Sequence, residues 1–159
     1  MENSQNSNYS KLRLTLNFLF ITLLGAQVMY LLVGLFIIQS GDFKEINGVN
    51  NIFMFIIPLI DTAIIFAIKF IYEKGLRDRD KKMLLDSKIK SYQINNIIKL
   101  ALLEGANIMN TSAMIITANY FYAALFIIIA ALFLLNRPTI EKFIMEYELS
   151  PEEVVKVLG

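Results

Sequence analysis

Long uninterrupted runs of apolar residues constrain this chain more than any other feature of its sequence. The first run covers residues 14–38, and its polar side chains are Thr15, Asn17, Thr22 and Gln27. A helix rises about 1.5 Å per residue, so this run is long enough to cross a bilayer core of roughly 30 Å. Because its hydrophobicity extends well beyond the roughly 7 to 15 residues of a signal-peptide core, we expect an uncleaved membrane helix.

Three further runs predict an all-α fold, an integral membrane four-helix bundle made of two hairpins. The predicted spans are 14–38, 52–72, 97–118 and 120–135, and a helical extension on the cytoplasmic side is expected to precede the third. The third is the weakest, since its eight Ile and Leu residues contribute about −4 kcal/mol and Glu104 alone costs about +3 kcal/mol. We therefore expect the third and fourth runs to insert together as a tight hairpin, with Tyr120 and Tyr122 at the outer interface.

Basic residues outside these runs predict the orientation. Lys11, Arg13, Arg137 and the segment 73–90, which holds seven Lys or Arg and four Asp or Glu, all fall on one side of the four-span arrangement. Basic loops stay in the cytoplasm. We therefore expect a multi-pass protein of the inner (cytoplasmic) membrane with both termini cytoplasmic and with residues 39–51 as an external loop.

The two ends of the chain are expected to differ. Residues 1–13 are polar and predict a disordered N-terminus, whereas residues 136–159 predict a cytoplasmic tail with short amphipathic helices. Ser150, Pro151 and Glu153 have capping-box spacing, which predicts that a last short helix begins there. The apolar positions of the helix before it have the i, i+3, i+4, i+7 spacing of a helix that lies on a membrane or on the third helix. They are Ile140, Phe143, Ile144 and Tyr147.

Composition excludes most catalytic chemistry. The chain has no Cys and no His, so it lacks a thiol nucleophile, an imidazole base and a His/Cys zinc site. We therefore predict a non-enzymatic protein with no catalytic residue, cofactor or metal. The net charge of +1 argues against a nucleic-acid partner. The expected partners are the lipid bilayer and a second copy of the chain.

A short internal match suggests how the helices pack. LLGAQVM at 23–29 and LEGANIM at 103–109 are 80 residues apart and share four of seven residues. An internal repeat of a two-helix unit explains the match, and so does the recurrence of small residues in packed membrane helices. In either case Gly25 and Ala26 of the first helix, and Ala101 and Gly105 of the third, are expected to form the central helix contact.

Ionisable residues inside the spans are the strongest functional signal, since a charge near the bilayer centre is costly. Glu104, Asn107 and Thr111 form one polar stripe, which Gln27 could reach, and Asp61 lies at a similar depth. Lys69 and Lys99 are near the cytoplasmic boundary, from which they could extend outward or toward either carboxylate. Two interpretations stay open here, a proton or cation site and a structural polar network, besides an error in topology that would put one carboxylate at an interface.

Two resemblances follow from these residues. IIKLALLEGANIM at 97–109 and NRPTIEKFIMEYELS at 136–150 resemble a family of small four-helix membrane proteins, found notably in Bacteroidetes, to which no activity is assigned. Glu104 beside Gly105 is also similar to the ion-binding helix of rotary ATPase proteolipid subunits. The chain departs from those subunits, because it has seven glycines in total and Leu24 at the repeat position of Glu104. We expect a protein that acts through helix packing and self-association, or alternatively a small proton or cation conductor.

Overall fold

The chain is mostly helical in the part that its computed structural model describes, and short turns join the helices. Residues 2–41, 48–77 and 83–158 are described, with side chains from 14–41, 48–73 and 83–158. The helices in this part of the chain are α1 (Glu2–Ser40), α2 (Val49–Arg77), α3 (Leu85–Thr117), α4 (Phe121–Leu135), α5 (Ile140–Glu146) and α6 (Pro151–Leu158). The all-α prediction is confirmed.

Two of these helices are long and apolar enough to cross a membrane. Their spans are Leu14–Ser40 and Val49–Glu73, with mean hydropathies of 2.3 and 2.2. The pair Phe121–Leu135 and Ile140–Glu146 qualifies only as one broken span, because the two helices are bent by 73°. The predicted third span does not qualify by itself, which agrees with its polar residues. The structure therefore shows two candidate spans, or three with the bent pair, where the sequence predicts four.

Helix α3 lies at the centre and packs against α1, α2 and α4. Leu100 and Leu103 of α3 form an apolar cluster with Phe20 of α1 and Phe133 of α4, and the two phenyl rings stack with centroids 5.0 Å apart. Extensive contact between α1 and α2 is absent from the described residues. Of the two predicted hairpins, the one formed by α3 and α4 is therefore present, whereas α1 packs on α3 rather than on α2.

The turn between α3 and α4 is fixed by side chains as well as by backbone. Ala118 adopts a left-handed conformation with φ 50°, and the Asn119 Oδ1 atom accepts a hydrogen bond from the Phe121 backbone N–H at 2.9 Å. Tyr120 is 53% exposed, whereas Tyr122 is fully buried and its hydroxyl donates to Asn50 of α2. Tyr122 thus contacts protein rather than the outer interface predicted for it.

The C-terminal helices pack on the N-terminal part of α3. Phe143 and Tyr147 are buried with Ile89 and Tyr92 of α3, and Leu16 of α1 joins the same cluster. This confirms the amphipathic pattern and shows that the apolar face of α5 packs on α3. The predicted capping box is confirmed too: the Ser150 N–H donates to Glu153 Oε2 at 2.8 Å, and the Glu153 N–H donates to Ser150 Oγ at 3.3 Å.

Two helices begin before the spans predicted for them. α1 begins at Glu2, so residues 2–13 are helical rather than disordered, because adding turns to an existing helix costs far less than starting one. α3 begins at Leu85, ahead of the predicted span at 97, so it includes the helical extension that the sequence predicts, and the tail covers its first turns. The side chains of Lys11 and Arg13, and residues 42–47 and 78–82 of the two predicted loops, lie outside the described residues.

Candidate functional site

A polar network joins α1, α2 and α3 in the interior of the fold. The Asn107 Nδ2 atom of α3 donates a hydrogen bond to Gln27 Oε1 of α1 at 2.6 Å. One turn further along α3, Asn110 Nδ2 donates to Asp61 Oδ2 of α2 at 3.1 Å. All four side chains are at most 5% exposed. Each bond crosses between helices, so the network fixes the register of α1 and α2 on α3.

Several buried polar atoms of this network have no hydrogen-bond partner among the described residues. They are Gln27 Nε2, Asp61 Oδ1, Asn107 Oδ1, Asn110 Oδ1 and Thr111 Oγ1. An orphaned buried polar atom costs about 1 to 3 kcal/mol, so such atoms usually contact water or an ion. Four of the five are oxygens, and one belongs to a carboxyl group. Oxygen atoms of this kind can accept a hydrogen bond from water or coordinate a hard cation, and the Asp61 oxygen can also carry a proton.

The structure brings together some of the predicted site residues and separates others. Gln27, Asp61, Asn107 and Thr111 are all buried at the network. Glu104 is only half-buried, and neither a hydrogen bond nor an ion pair to it occurs within the described residues. The expected polar stripe therefore begins at Asn107.

Asn110 is the network residue that sequence reasoning missed. It directly contacts Asp61 and is completely buried. Its position three residues after Asn107 places both amides on one face of α3. That spacing could have identified Asn110, because a lipid-facing helix surface does not tolerate two amides and both must therefore face protein.

The predicted lysines lie in a separate cleft. Lys69 is exposed, whereas Lys99 is 7% exposed and its Nζ atom lies 4.9 Å from the centroid of the Tyr72 ring. Both line a cleft of about 340 Å³ together with Lys142 of α5. Contact of Lys99 with an aromatic face stabilises the charge of its ammonium group.

The close approach of α1 to α3 occurs at Gly34, not at the predicted small residues. A Cβ atom added at Gly34 would lie 3.0 Å from Met114 Cε and 3.1 Å from Thr111 Cγ2. The four predicted positions are exposed: Gly25, Ala26, Ala101 and Gly105. An added Cβ at either glycine among them would meet no atom within 4 Å. The predicted contact is wrong within one chain, because the buried faces of both helices are turned away from these residues.

Groups of three or more acidic side chains that could hold a metal ion are absent from the described part of the chain. Asp61 is the carboxylate that the buried network contains, and its neighbours there are neutral amides and a hydroxyl. Comparison of the chain with protein-family models, with curated proteins and with solved structures finds no match.

Proposed function

We propose that this chain is a non-enzymatic, multi-pass protein of the cytoplasmic membrane that acts through helix packing and self-association. In this proposal α1, α2, α3 and α4 all cross the bilayer and both termini are cytoplasmic. The buried position of the α3 polar face supports a third span, since α1, α2 and α4 would shield its amides from lipid. The sharp bend between α4 and α5 supports a fourth span that ends at the interface.

The observation that carries the proposal is the set of small residues exposed on α1 and α3. Only 11% of each candidate span in α1 and α2 is buried inside the chain. Within the apolar exposed surface, Gly25 and Ala26 on α1 and Ala101 and Gly105 on α3 leave space for another backbone. Small residues at such positions allow close helix–helix association in lipid. We expect a second copy of this chain to occupy at least one of these surfaces.

Residues that are 80 positions apart in the sequence contact each other across α1 and α3. Gln27 and Asn107, which are one such pair, hydrogen-bond to each other. Gly34 and Met114 differ by the same 80 residues, and they also meet. The two helices are thus parallel, and residues that are 80 positions apart in the sequence lie side by side. This arrangement supports an internal duplication of a two-helix unit.

Self-association can be tested by filling the exposed small positions. Gly105→Leu and Gly25→Leu add side chains where the single chain has open space, so each variant should fold normally. We expect each to weaken association by about tenfold or more in nanodiscs, measured by subunit counting over a range of protein-to-lipid ratios. Ala124→Leu, at an exposed position of α4, is the matched control. A wild-type chain that is monomeric at every ratio, or equal association in all variants, contradicts the proposal.

A second candidate function is the conduction of protons or monovalent cations. The unpartnered oxygens of Asp61, Asn107, Asn110 and Thr111 favour it, because together they offer one negative charge and several neutral donors. A single charge matches a proton or a monovalent cation better than a divalent one. Glu104, which the sequence pairs with Asp61, is outside this network and has no role in this candidate.

Conduction is tested with Asp61→Asn in proteoliposomes. Asparagine keeps the shape of the side chain and can still accept the hydrogen bond from Asn110, so folding should be retained. We expect a pH- or cation-gradient-driven flux in the wild type that the variant lacks, with Glu104→Gln as a control that retains it. If the wild type shows no flux, or if Asp61→Asn conducts normally, this function is excluded.

A further inference from the structure

A cationic cleft lies at the point where the apolar part of α2 ends. Lys69 and Tyr72 come from the last turns of the Val49–Glu73 span, Lys99 from α3 and Lys142 from α5. The cleft has a volume of about 340 Å³. It is separate from the polar network, since the two share no residue.

Two of the three lysines in this cleft are held in place. Lys142 Nζ donates to the Leu135 carbonyl at 2.6 Å and to the Arg137 carbonyl at 3.1 Å, at the C-terminal end of α4. Lys99 Nζ lies over the Tyr72 ring and its side chain is almost fully buried. Lys69 is exposed at the rim. Two of the three cations are therefore positioned before any ligand arrives.

The charge and shape of the cleft define the ligand. Three lysines and one carboxylate, Glu146, give the lining residues a net charge of +2. On the side toward the centre of the span, the wall is formed by Ile65 and Ile68 of α2. A ligand that complements both parts has an anionic head and an apolar chain beside it. Basic pockets between membrane helices at the cytoplasmic side bind lipid phosphates in this way.

We propose that this cleft binds the phosphate group of an anionic membrane lipid, with an acyl chain along Ile65 and Ile68. Lys69, Lys99 and Lys142 contact the phosphate, and Glu146 limits the excess positive charge. The inference goes beyond the proposed function: it rests on the membrane placement of α2 but not on self-association or conduction. A soluble phosphate could bind the same lysines, but unlike a lipid it has no acyl chain to contact Ile65 and Ile68.

The test measures lipid binding to the purified full chain in detergent by native mass spectrometry. Phosphatidylglycerol and phosphatidylcholine with identical acyl chains are compared, and inorganic phosphate is added in a separate arm. We expect phosphatidylglycerol to bind at least fivefold more tightly than phosphatidylcholine. Since one lysine near a membrane surface contributes about 1 kcal/mol, Lys69→Gln and Lys142→Gln should each weaken that binding about fivefold.

The matched control is Lys90→Gln, because Lys90 is exposed on α3 and does not line the cleft. We expect it to bind phosphatidylglycerol within twofold of wild type. Equal binding of the two lipids overturns the proposal, and so does an equal loss in Lys90→Gln. Tight binding of inorganic phosphate that excludes the lipid and depends on Lys69 would assign the cleft to a soluble phosphate instead. The same spectra report the number of subunits, so failure here is distinguishable from failure of self-association.

Discussion

Buried amide side chains define the contact between α1 and α3 at the scale of single residues. Asn107 has its Nδ2 atom on Gln27 and is completely buried. In a lipid environment neither amide can turn to bulk water. An interhelical hydrogen bond of this kind contributes about 0.6 kcal/mol on average and up to about 1.7 kcal/mol in membrane proteins.

Replacing either amide should therefore destabilise the fold and reveal coupling. We expect Asn107→Leu to lower the free energy of unfolding by about 1 kcal/mol, since Gln27 then has no partner for either polar atom. Unfolding in mixed detergent measures this change. The double variant with Gln27→Leu should lose about 0.6 kcal/mol less than the sum of the two single variants. Fully additive losses would show that the hydrogen bond contributes nothing, and Thr22→Leu on the exposed face of α1 is the control.

Gly34 should respond differently from the other glycines of the spans. Gly34→Ala places a methyl group 3.0 to 3.1 Å from three side-chain atoms of α3, so Thr111, Met114 and Ile115 must all move. Gly25→Ala meets no atom, and a helix gains about 0.8 to 1 kcal/mol when alanine replaces glycine. We expect Gly34→Ala to be less stable than Gly25→Ala by about 1 to 2 kcal/mol in the same unfolding assay. Equal stability would mean that α1 does not approach α3 closely there.

At the scale of elements, one ion pair attaches α6 to α3. Lys88 Nζ lies 2.9 Å from both carboxylate oxygens of Glu153, and the two side chains are 9% and 19% exposed. Burial would raise the pKa of Glu153. The hydrogen bonds from Lys88 and from the Ser150 backbone, together with the Lys88 charge, outweigh burial and hold this pKa below its ordinary value of 4.5.

The docking of α6 should therefore depend on pH. Because the pKa of Glu153 is lower in the folded protein, the carboxylate stabilises the docked helix fully above about pH 4.5 and progressively less as the pH falls toward the folded-state pKa. We expect amide protection factors in α6 to fall about fivefold over this window, equivalent to about 1 kcal/mol. Hydrogen exchange corrected for the intrinsic pH dependence measures them.

Glu153→Gln separates charge from capping in this experiment. Glutamine keeps the capping-box geometry but removes the charge, so α6 should be less protected at neutral pH and should show no further loss in acid. Glu152→Gln, at the exposed neighbouring position, should keep the wild-type profile. A pH dependence that persists in Glu153→Gln would assign it to another group.

At the scale of the whole molecule, the sequence predicts best what depends on periodicity. The apolar runs, the α5 face of Phe143 and Tyr147 and the Ser150 cap follow from local patterns, and all are present. The sequence could not predict which faces of α1 and α3 meet, because the helical pattern does not distinguish Gly25 from Gly34. Only the orientation of α1 on α3 distinguishes them. For the same reason Asn110, rather than Glu104, pairs with Asp61.

The proposed number of four spans can be tested with single-cysteine variants, because the chain has no native cysteine. Asn119 Nδ2 donates to Asn50 Oδ1 at 3.1 Å, so the α3–α4 turn lies at the same end of the fold as the start of α2. If α3 and α4 cross the bilayer, Tyr120→Cys and Ser40→Cys should both react with a membrane-impermeant maleimide in intact spheroplasts. Glu152→Cys, in the tail, should react only after permeabilisation. If both Tyr120→Cys and Glu152→Cys reacted only after permeabilisation, the protein would have two spans, with α3 and α4 outside the bilayer.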